Sequence, residues 1–178
     1  KQKQYYIIAG GGNVMANTQV SAPGTHTVLG FFDAEIDESV NTFFNEYGDT
    51  TGIPDPGEIW EIDEPGYVFG DIYTNFMAMM LDNTNAVPIP DDVSMAIGWK
   101  EFSLGGGQTA TIDLTLSTTA PSSGFYLVQV DPDSQATIYL QSSLEISAIC
   151  VPEFPTPILP LMVVIGLLFT AAAVRRMK

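Results

Sequence analysis

The sequence is poor in the residue types that most often perform catalysis or hold transition metals. It contains one cysteine, Cys150, and one histidine, His26. A single cysteine excludes a disulfide within the chain, and one cysteine with one histidine does not make the spacing of a zinc site. A catalytic triad would need a nucleophilic serine and a carboxylate beside His26, and no motif marks either partner. The sequence therefore predicts a protein that is not an enzyme, and a secreted hydrolase is the least favoured alternative.

Basic residues are almost absent between the two ends of the chain. The sequence has 21 acidic and 6 basic residues, a formal net charge of −15, and Lys100 is the one basic residue within residues 4–155. An acidic surface of this kind repels nucleic acid and anionic lipid headgroups, so nucleic acid is not an expected partner. Two interpretations of the acidic residues stay open: solubility or adaptation to salt, and a site for a cation.

The longest apolar run lies at the C-terminal end. Residues 158–174 are 17 consecutive positions without a charge, and ten of them are Leu, Ile, Val or Phe. As a helix rising ~1.5 Å per residue the run spans about 25 Å, the short end of what crosses a bilayer. The alternative is a buried core helix, but a terminal helix that is apolar on every side has no obvious core to enter. We predict a transmembrane helix over residues 158–178, whose basic end should stay cytoplasmic: Arg175, Arg176 and Lys178.

A short motif precedes the apolar run: Pro152, Glu153, Phe154, Pro155 and Thr156. The order of motif, apolar segment and basic end resembles the PEP-CTERM sorting signals of Gram-negative bacteria. Phe154 in the third place favours their PEF-CTERM relatives in archaea. The resemblance implies that a membrane transpeptidase of the exosortase or archaeosortase type cuts near the motif and moves the preceding domain to a new anchor or into extracellular polymer. Because Pro155 and Pro157 disfavour a helix, we expect the motif to be an extended peptide at the membrane face.

An export signal is missing from the start of the sequence. Lys1-Gln-Lys-Gln leads into a short apolar run at residues 5–9, which is too brief for the hydrophobic region of a signal peptide. We therefore expect the sequence to be either a mature or a truncated form of an exported protein.

Alternation of apolar and polar positions predicts several strands. The clearest is residues 109–117, where Ala110, Ile112, Leu114 and Leu116 should face inward. Other strands are predicted at residues 5–9, 14–20, 25–37, 58–62, 67–69, 95–104, 125–130 and 137–146. We expect a mostly β chain with an antiparallel β-sandwich ectodomain, and a meander made of its last four strands.

One short helix is predicted in this ectodomain, over residues 71–81. Asp71 can cap it, and Ile72, Phe76, Met79 and Met80 recur at helical spacing, which predicts core packing. Residues 41–65 are rich in aromatic side chains but irregular in pattern. We expect an ordered excursion there, with one helical turn at residues 39–44.

No cofactor is expected, and calcium is the alternative that the acidic residues suggest. Ca²⁺ takes six to eight oxygen ligands, and carboxylates that alternate along a strand or lie close in a loop can supply them. No cluster has the EF-hand order, and the outer face of a strand or a turn explains each cluster equally well. The candidate ligands are Asp33, Glu35 and Asp37 with Glu38 along one strand, Asp91 and Asp92 with Asp82, Asn83 and Asn85 in a loop, and Asp131 and Asp133 in a turn.

These features together predict three parts. The parts are an acidic β-sandwich ectodomain over residues 1–149, a sorting motif and linker over residues 150–157, and a transmembrane helix over residues 158–178. We expect a cell-surface or extracellular-matrix protein, sorted and processed by a membrane transpeptidase, with a non-catalytic structural or adhesive role. It would be anchored in the membrane with its ectodomain outside, or released or re-anchored after processing. The alternative is a calcium-dependent carbohydrate-binding module whose partner is extracellular polysaccharide.

Overall fold

A computed structural model describes residues 14–36, 42–66 and 68–148. Within these ranges, which we call the β body, the chain forms eight strands and one helix. The helix, α1 (Ile72–Ala78), lies between the fourth and fifth strands. The strands are β1 (Val14–Val20), β2 (Gly24–Asp33), β3 (Tyr47–Thr51), β4 (Glu58–Asp63), β5 (Ser94–Leu104), β6 (Gln108–Ser117), β7 (Tyr126–Val130) and β8 (Thr137–Ala148).

The strands form two sheets. The larger has the order β1-β6-β8-β7-β3, the smaller has the order β2-β5-β4, and every pairing between these strands is antiparallel. The expectation of a mostly β chain with antiparallel sheets and one short helix is therefore confirmed.

Buried side chains of both sheets pack together between them. Met95 and Ile97 of β5 are fully buried and share a cluster with Leu127 of β7 and Leu140 of β8. The alternate residues of β5 face the other way, and there Ala96 packs in a second cluster with Ile72 of α1. The smaller sheet is thus covered on both faces, which explains why the middle strand has a continuous apolar run rather than an alternating one.

The loop between α1 and β5 closes the edges of two strands. On the β4 side, Ile62 N donates to Thr84 O (3.0 Å) and Ala86 N donates to Ile62 O (2.8 Å). On the β3 side, Gly48 N donates to Val87 O (2.8 Å). One loop therefore satisfies backbone groups on an edge strand of each sheet.

Several predicted elements end at other residues. The strand predicted over residues 25–37 ends at Asp33, and the irregular stretch over residues 41–65 contains β3 as well as β4. Residues 43–44 form a turn rather than a helix, and residues 68–69 form a bend rather than a strand. Helix α1 ends earlier than residue 81 because Met79 is left-handed (φ 60°). Beyond that point Met80 is 59% exposed and does not join the core.

The predicted meander is wrong except for its last pair, since β7 and β8 do pair with each other. β5 belongs to the smaller sheet, and β6 pairs with β8 rather than with β7. The reason is length: β6 and β8 pair over ten residues, from Gln108 opposite Ala148 to Ser117 opposite Tyr139, whereas β7 has five residues. The short strand pairs instead with the far edge of β8, between β8 and β3.

Other predictions lie outside the described residues. These are the strand at residues 5–9, the sorting motif and linker, and the transmembrane helix over residues 158–178. The chain divides after Ala148 into two units, and only the first contains described residues. Among the described residues, no helix has the length and apolar character needed to span a bilayer.

The closest backbone approach of the smaller sheet gives a testable prediction. A Cβ on Gly98 of β5 would meet Val28 O and lie 2.8 Å from Leu29 Cα, so Gly98→Ala should lower the free energy of unfolding by about 1–3 kcal/mol, as overpacking typically does. The matched control is Gly106→Ala, where a Cβ has no neighbour within 4 Å. Urea unfolding measures both. Equal stability of the two variants would contradict this packing.

Candidate functional site

Three carboxylates from two predicted clusters meet at one end of the smaller sheet. Asp33, Glu35 and Asp92 place carboxylate oxygens within 4.8 Å of one another. The strand register brings them together, because Asp33 at the end of β2 pairs with Ser94 at the start of β5. Asp92 precedes Ser94 by two residues, and Ser94 Oγ donates to Asp33 Oδ1 (2.8 Å). We call this group the acidic cluster.

Asp92 is the member of the acidic cluster whose environment is least satisfied. Its Oδ1 is buried and has no hydrogen-bond partner among the described residues. Burial raises the pKa of Asp92, and the nearby charges of Asp33 and Asp91 raise it further. A buried carboxylate oxygen without a donor is costly, and a bound cation is one group that would satisfy it.

A buried polar network holds the segment that carries Glu35. Glu46 and Gln129 are 1% and 0% exposed. Glu46 Oε1 accepts from Ile36 N (2.6 Å), Glu46 Oε2 accepts from Gln129 Nε2, and the same Nε2 donates to Ala34 O (2.5 Å). Burial raises the pKa of Glu46, although these two donors oppose the shift. The backbone on both sides of Glu35 is therefore held by buried side chains, through Ala34 O and Ile36 N.

The other predicted ligands have hydrogen-bonding roles in turns. Asp131 is fully buried, and its oxygens accept from Asp133 N (2.7 Å), Ser134 Oγ (2.7 Å) and Asn45 Nδ2 (2.9 Å). Asn45 Nδ2 also donates to Asp133 Oδ2 (3.3 Å). Asp131 and Asp133 therefore stabilise their turn and link it to Asn45.

The loop before β5 is stabilised in the same way. Asp82 Oδ1 accepts from Thr84 Oγ1 (2.6 Å), and Asp91 Oδ1 accepts from Asp92 N (2.9 Å). Asn83 and Asn85 bond to the backbone of Trp60 and Gly48. Asp37 and Glu38 lie outside the described residues.

A second group of carboxylates was missed by the sequence prediction. Glu61 and Asp63 of β4 and Asp71 before α1 also bring oxygens within 4.8 Å of one another. Glu61 is 1% exposed, and burial raises its pKa to about 7, although the bond from Asn75 Nδ2 (3.0 Å) opposes the shift. Asp63 Oδ2 accepts from Asp71 N (2.6 Å). Alternation along the strand could have indicated this group, since Glu61 and Asp63 share the face of β4 that carries Ile59.

His26 has a surface environment. Its Nε2 lies 2.7 Å from Ala22 O, and its ring centroid is 5.7 Å from that of Phe102. The first contact is with the turn before β2, and the second is with the neighbouring strand β5. Cys150 lies outside the described residues.

Comparison of the chain with protein-family models, with curated proteins and with solved structures finds no match. Its function is therefore inferred from its own residues.

The buried Glu61 predicts a pH dependence of stability. Because its folded pKa of about 7 lies above the usual 4.5, its stabilising effect is full below about pH 4.5 and is lost as the pH rises through about 7. This residue alone should lower the free energy of unfolding by on the order of 3 kcal/mol across that window. Urea unfolding at several pH values should show that the free energy of unfolding falls less with rising pH in Glu61→Gln than in the natural protein. The control is Glu145→Gln at an exposed position of β8, and identical pH slopes in all three proteins would refute the prediction.

Proposed function

We propose that the protein is an exported cell-surface or extracellular-matrix protein that a membrane transpeptidase sorts and processes. The observation that carries this proposal is the order of three sequence features: the motif at residues 152–156, the uncharged run at residues 158–174, and the basic residues Arg175, Arg176 and Lys178. Each feature has a separate role. The motif is the peptide that the enzyme reads, the apolar run holds the chain in the bilayer, and the basic end sets its orientation.

The β body suits the role of cargo. Its two antiparallel sheets share a core, and its last described residue, Ala148, ends β8 just before the linker that begins at residue 150. The acidic composition keeps such a domain soluble and away from anionic lipid headgroups. We interpret the body as a β-sandwich with a non-catalytic, structural or adhesive role in the envelope or in extracellular polymer.

Deletion of residues 175–178 tests the orientation role. Without the basic end, retention in the membrane or processing by the transpeptidase should be impaired, because the tail loses the charges that keep it cytoplasmic. Cell fractionation and mass spectrometry of the C-terminus report the outcome in the native host. The control exchanges basic residues only, as Arg175→Lys, Arg176→Lys and Lys178→Arg, and should behave as the natural protein does. Unchanged sorting and an intact C-terminus in the deletion variant would count against the proposal.

A second candidate function is binding of a divalent cation, which would support a carbohydrate-binding surface module. The specific observation that favours it is the acidic cluster of Asp33, Glu35 and Asp92, in which Asp92 Oδ1 is buried without a donor. Ca²⁺ accepts carboxylate oxygens in flexible arrangements, and extracellular modules bind it at roughly 10⁻⁴–10⁻³ M.

Thermal unfolding with added CaCl₂ tests this second candidate. A cation that binds only the folded state stabilises it by about 2.7 kcal/mol at a hundredfold excess over the dissociation constant, so the Tm should rise with concentration. In Asp92→Asn the Tm without calcium should rise slightly, because repulsion within the cluster falls, and the response to calcium should be lost. Asp113→Asn on β6 is the control, since Asp113 accepts from Asn17 and is not a member of the acidic cluster. A Tm that stays constant up to about 10 mM CaCl₂ would exclude a site of the affinity typical of such modules.

A further inference from the structure

A pocket of about 510 Å³ is lined by residues of both sheets. The smaller sheet contributes Glu58 of β4 and Trp99 of β5, and the larger contributes Ser142 of β8 together with the loop that ends at Phe125. Its volume is within the range of small-molecule sites, which is about 300–1,000 Å³. The acidic cluster contributes none of its lining residues.

Trp99, one of the lining residues, has an unsatisfied hydrogen-bond donor. Its side chain is 7% exposed, and its Nε1 is buried with no acceptor among the described residues. A buried indole N–H usually has a partner. Because Trp99 lines the pocket, an oxygen atom of a bound molecule is one group that could accept this hydrogen bond.

Glu58 places acceptors beside that donor. It pairs directly with Trp99 in the β4–β5 register, and directly paired residues of antiparallel strands have side chains on the same face. Glu58 is 7% exposed, Oε1 accepts from Ser142 Oγ (2.6 Å), and Oε2 accepts from Asp55 N (3.0 Å). Each carboxylate oxygen can accept a further bond, so Glu58 retains capacity for a donor from a ligand.

These groups select the chemistry of the ligand. An unsatisfied donor next to a carboxylate suits a group that both accepts and donates, which is the property of a hydroxyl. An amine only donates, and an anion would find no cation among the lining residues, which include Asp55 and Glu58. Trp99 and Phe125 line the pocket but are 7% and 5% exposed, so they offer only a small apolar surface to the C–H groups of a sugar ring. We propose that this pocket, built around Trp99 and Glu58, binds a neutral carbohydrate without the help of a metal ion.

This inference depends on neither the sorting signal nor calcium. The sorting signal lies outside the β body, and the pocket residues are distinct from the acidic cluster. Its test is therefore made in EDTA, where a calcium-dependent site would fail and this pocket would not.

The indole N–H signals of the ¹⁵N-labelled full chain provide the test. The sequence has two tryptophans, and Trp60→Phe assigns the remaining indole signal to Trp99. Cellotriose, maltotriose and N,N′,N″-triacetylchitotriose are titrated in EDTA, with choline and arginine as amine probes. We expect at least one saccharide to shift the Trp99 indole signal in a saturable way. We expect no such shift from the amines.

Two variants then locate the site. Trp99→Phe keeps a ring but removes the N–H, and Glu58→Gln replaces one carboxylate oxygen with a donor, so each should weaken saccharide binding by about 2- to 10-fold, as the loss of one hydrogen bond does. Glu61→Gln is the matched control, because Glu61 does not line the pocket, and it should bind as the natural protein does. Trp60→Phe serves only for assignment, because the Trp60 ring lies 5.5 Å from that of Phe125. If Trp99→Phe does not fold, the indole titration and Glu58→Gln still decide the matter.

Four outcomes would overturn the proposal. The first is that none of the three saccharides binds at about 10 mM, since the dissociation constant would then be weaker than millimolar. The second is binding that leaves the Trp99 signal unchanged, and the third is binding that is seen without EDTA but not with it. The fourth is a response to the amines in place of the saccharides.

Discussion

The β body depends on one strand that is buried on both faces. The inner side of β5 enters the core through Met95 and Ile97, and its outer side carries Ala96 and Gly98 beneath α1 and against β2. One candidate site lies at the start of this strand and the other at its middle. Ser94 holds Asp33 of the acidic cluster at one end, and Trp99 contributes to the pocket five residues further on. Its register with β2 and β4 therefore determines which side chains meet at each site.

Buried carboxylates without a cationic partner are the second constraint. Lys100 is the one basic residue within residues 4–155, so buried acids are held by neutral donors. Glu46 is held by Gln129, Glu58 by Ser142, and Glu61 by Asn75. Burial is the main cause of the raised pKa of all three residues. A neutral donor stabilises a carboxylate less than a cation does. The three glutamates therefore bind a proton more readily than an exposed glutamate would.

The sequence predicts the regular strands well because their pattern is local. Ala110, Ile112 and Leu114 are buried on one face of β6, as their alternation predicted. β3 was missed because its buried position is Gly48, where a Cβ would meet the side chain of Ile62. A strand whose inward residue must be glycine has no apolar alternation to recognise.

The candidate sites depend on strand partners, which spacing along the chain does not determine. Asp33 and Asp92 belonged to different predicted clusters and meet only through the β2–β5 register. The pairing of Glu58 with Trp99 depends likewise on the β4–β5 register. The predicted strand over residues 58–62 did contain a usable signal, since Glu58 shares its face with the core residue Ile62.

The loop between α1 and β5 has a consequence for how copies of this protein behave side by side. It hydrogen-bonds to the outer edges of β3 and β4 through Val87, Thr84 and Ala86. An uncovered edge strand is a template on which a neighbouring molecule can add its own strand, the route by which β proteins polymerise when crowded. Because its own chain occupies these backbone groups of β3 and β4, a strand from a neighbouring molecule has fewer free partners along these two edges.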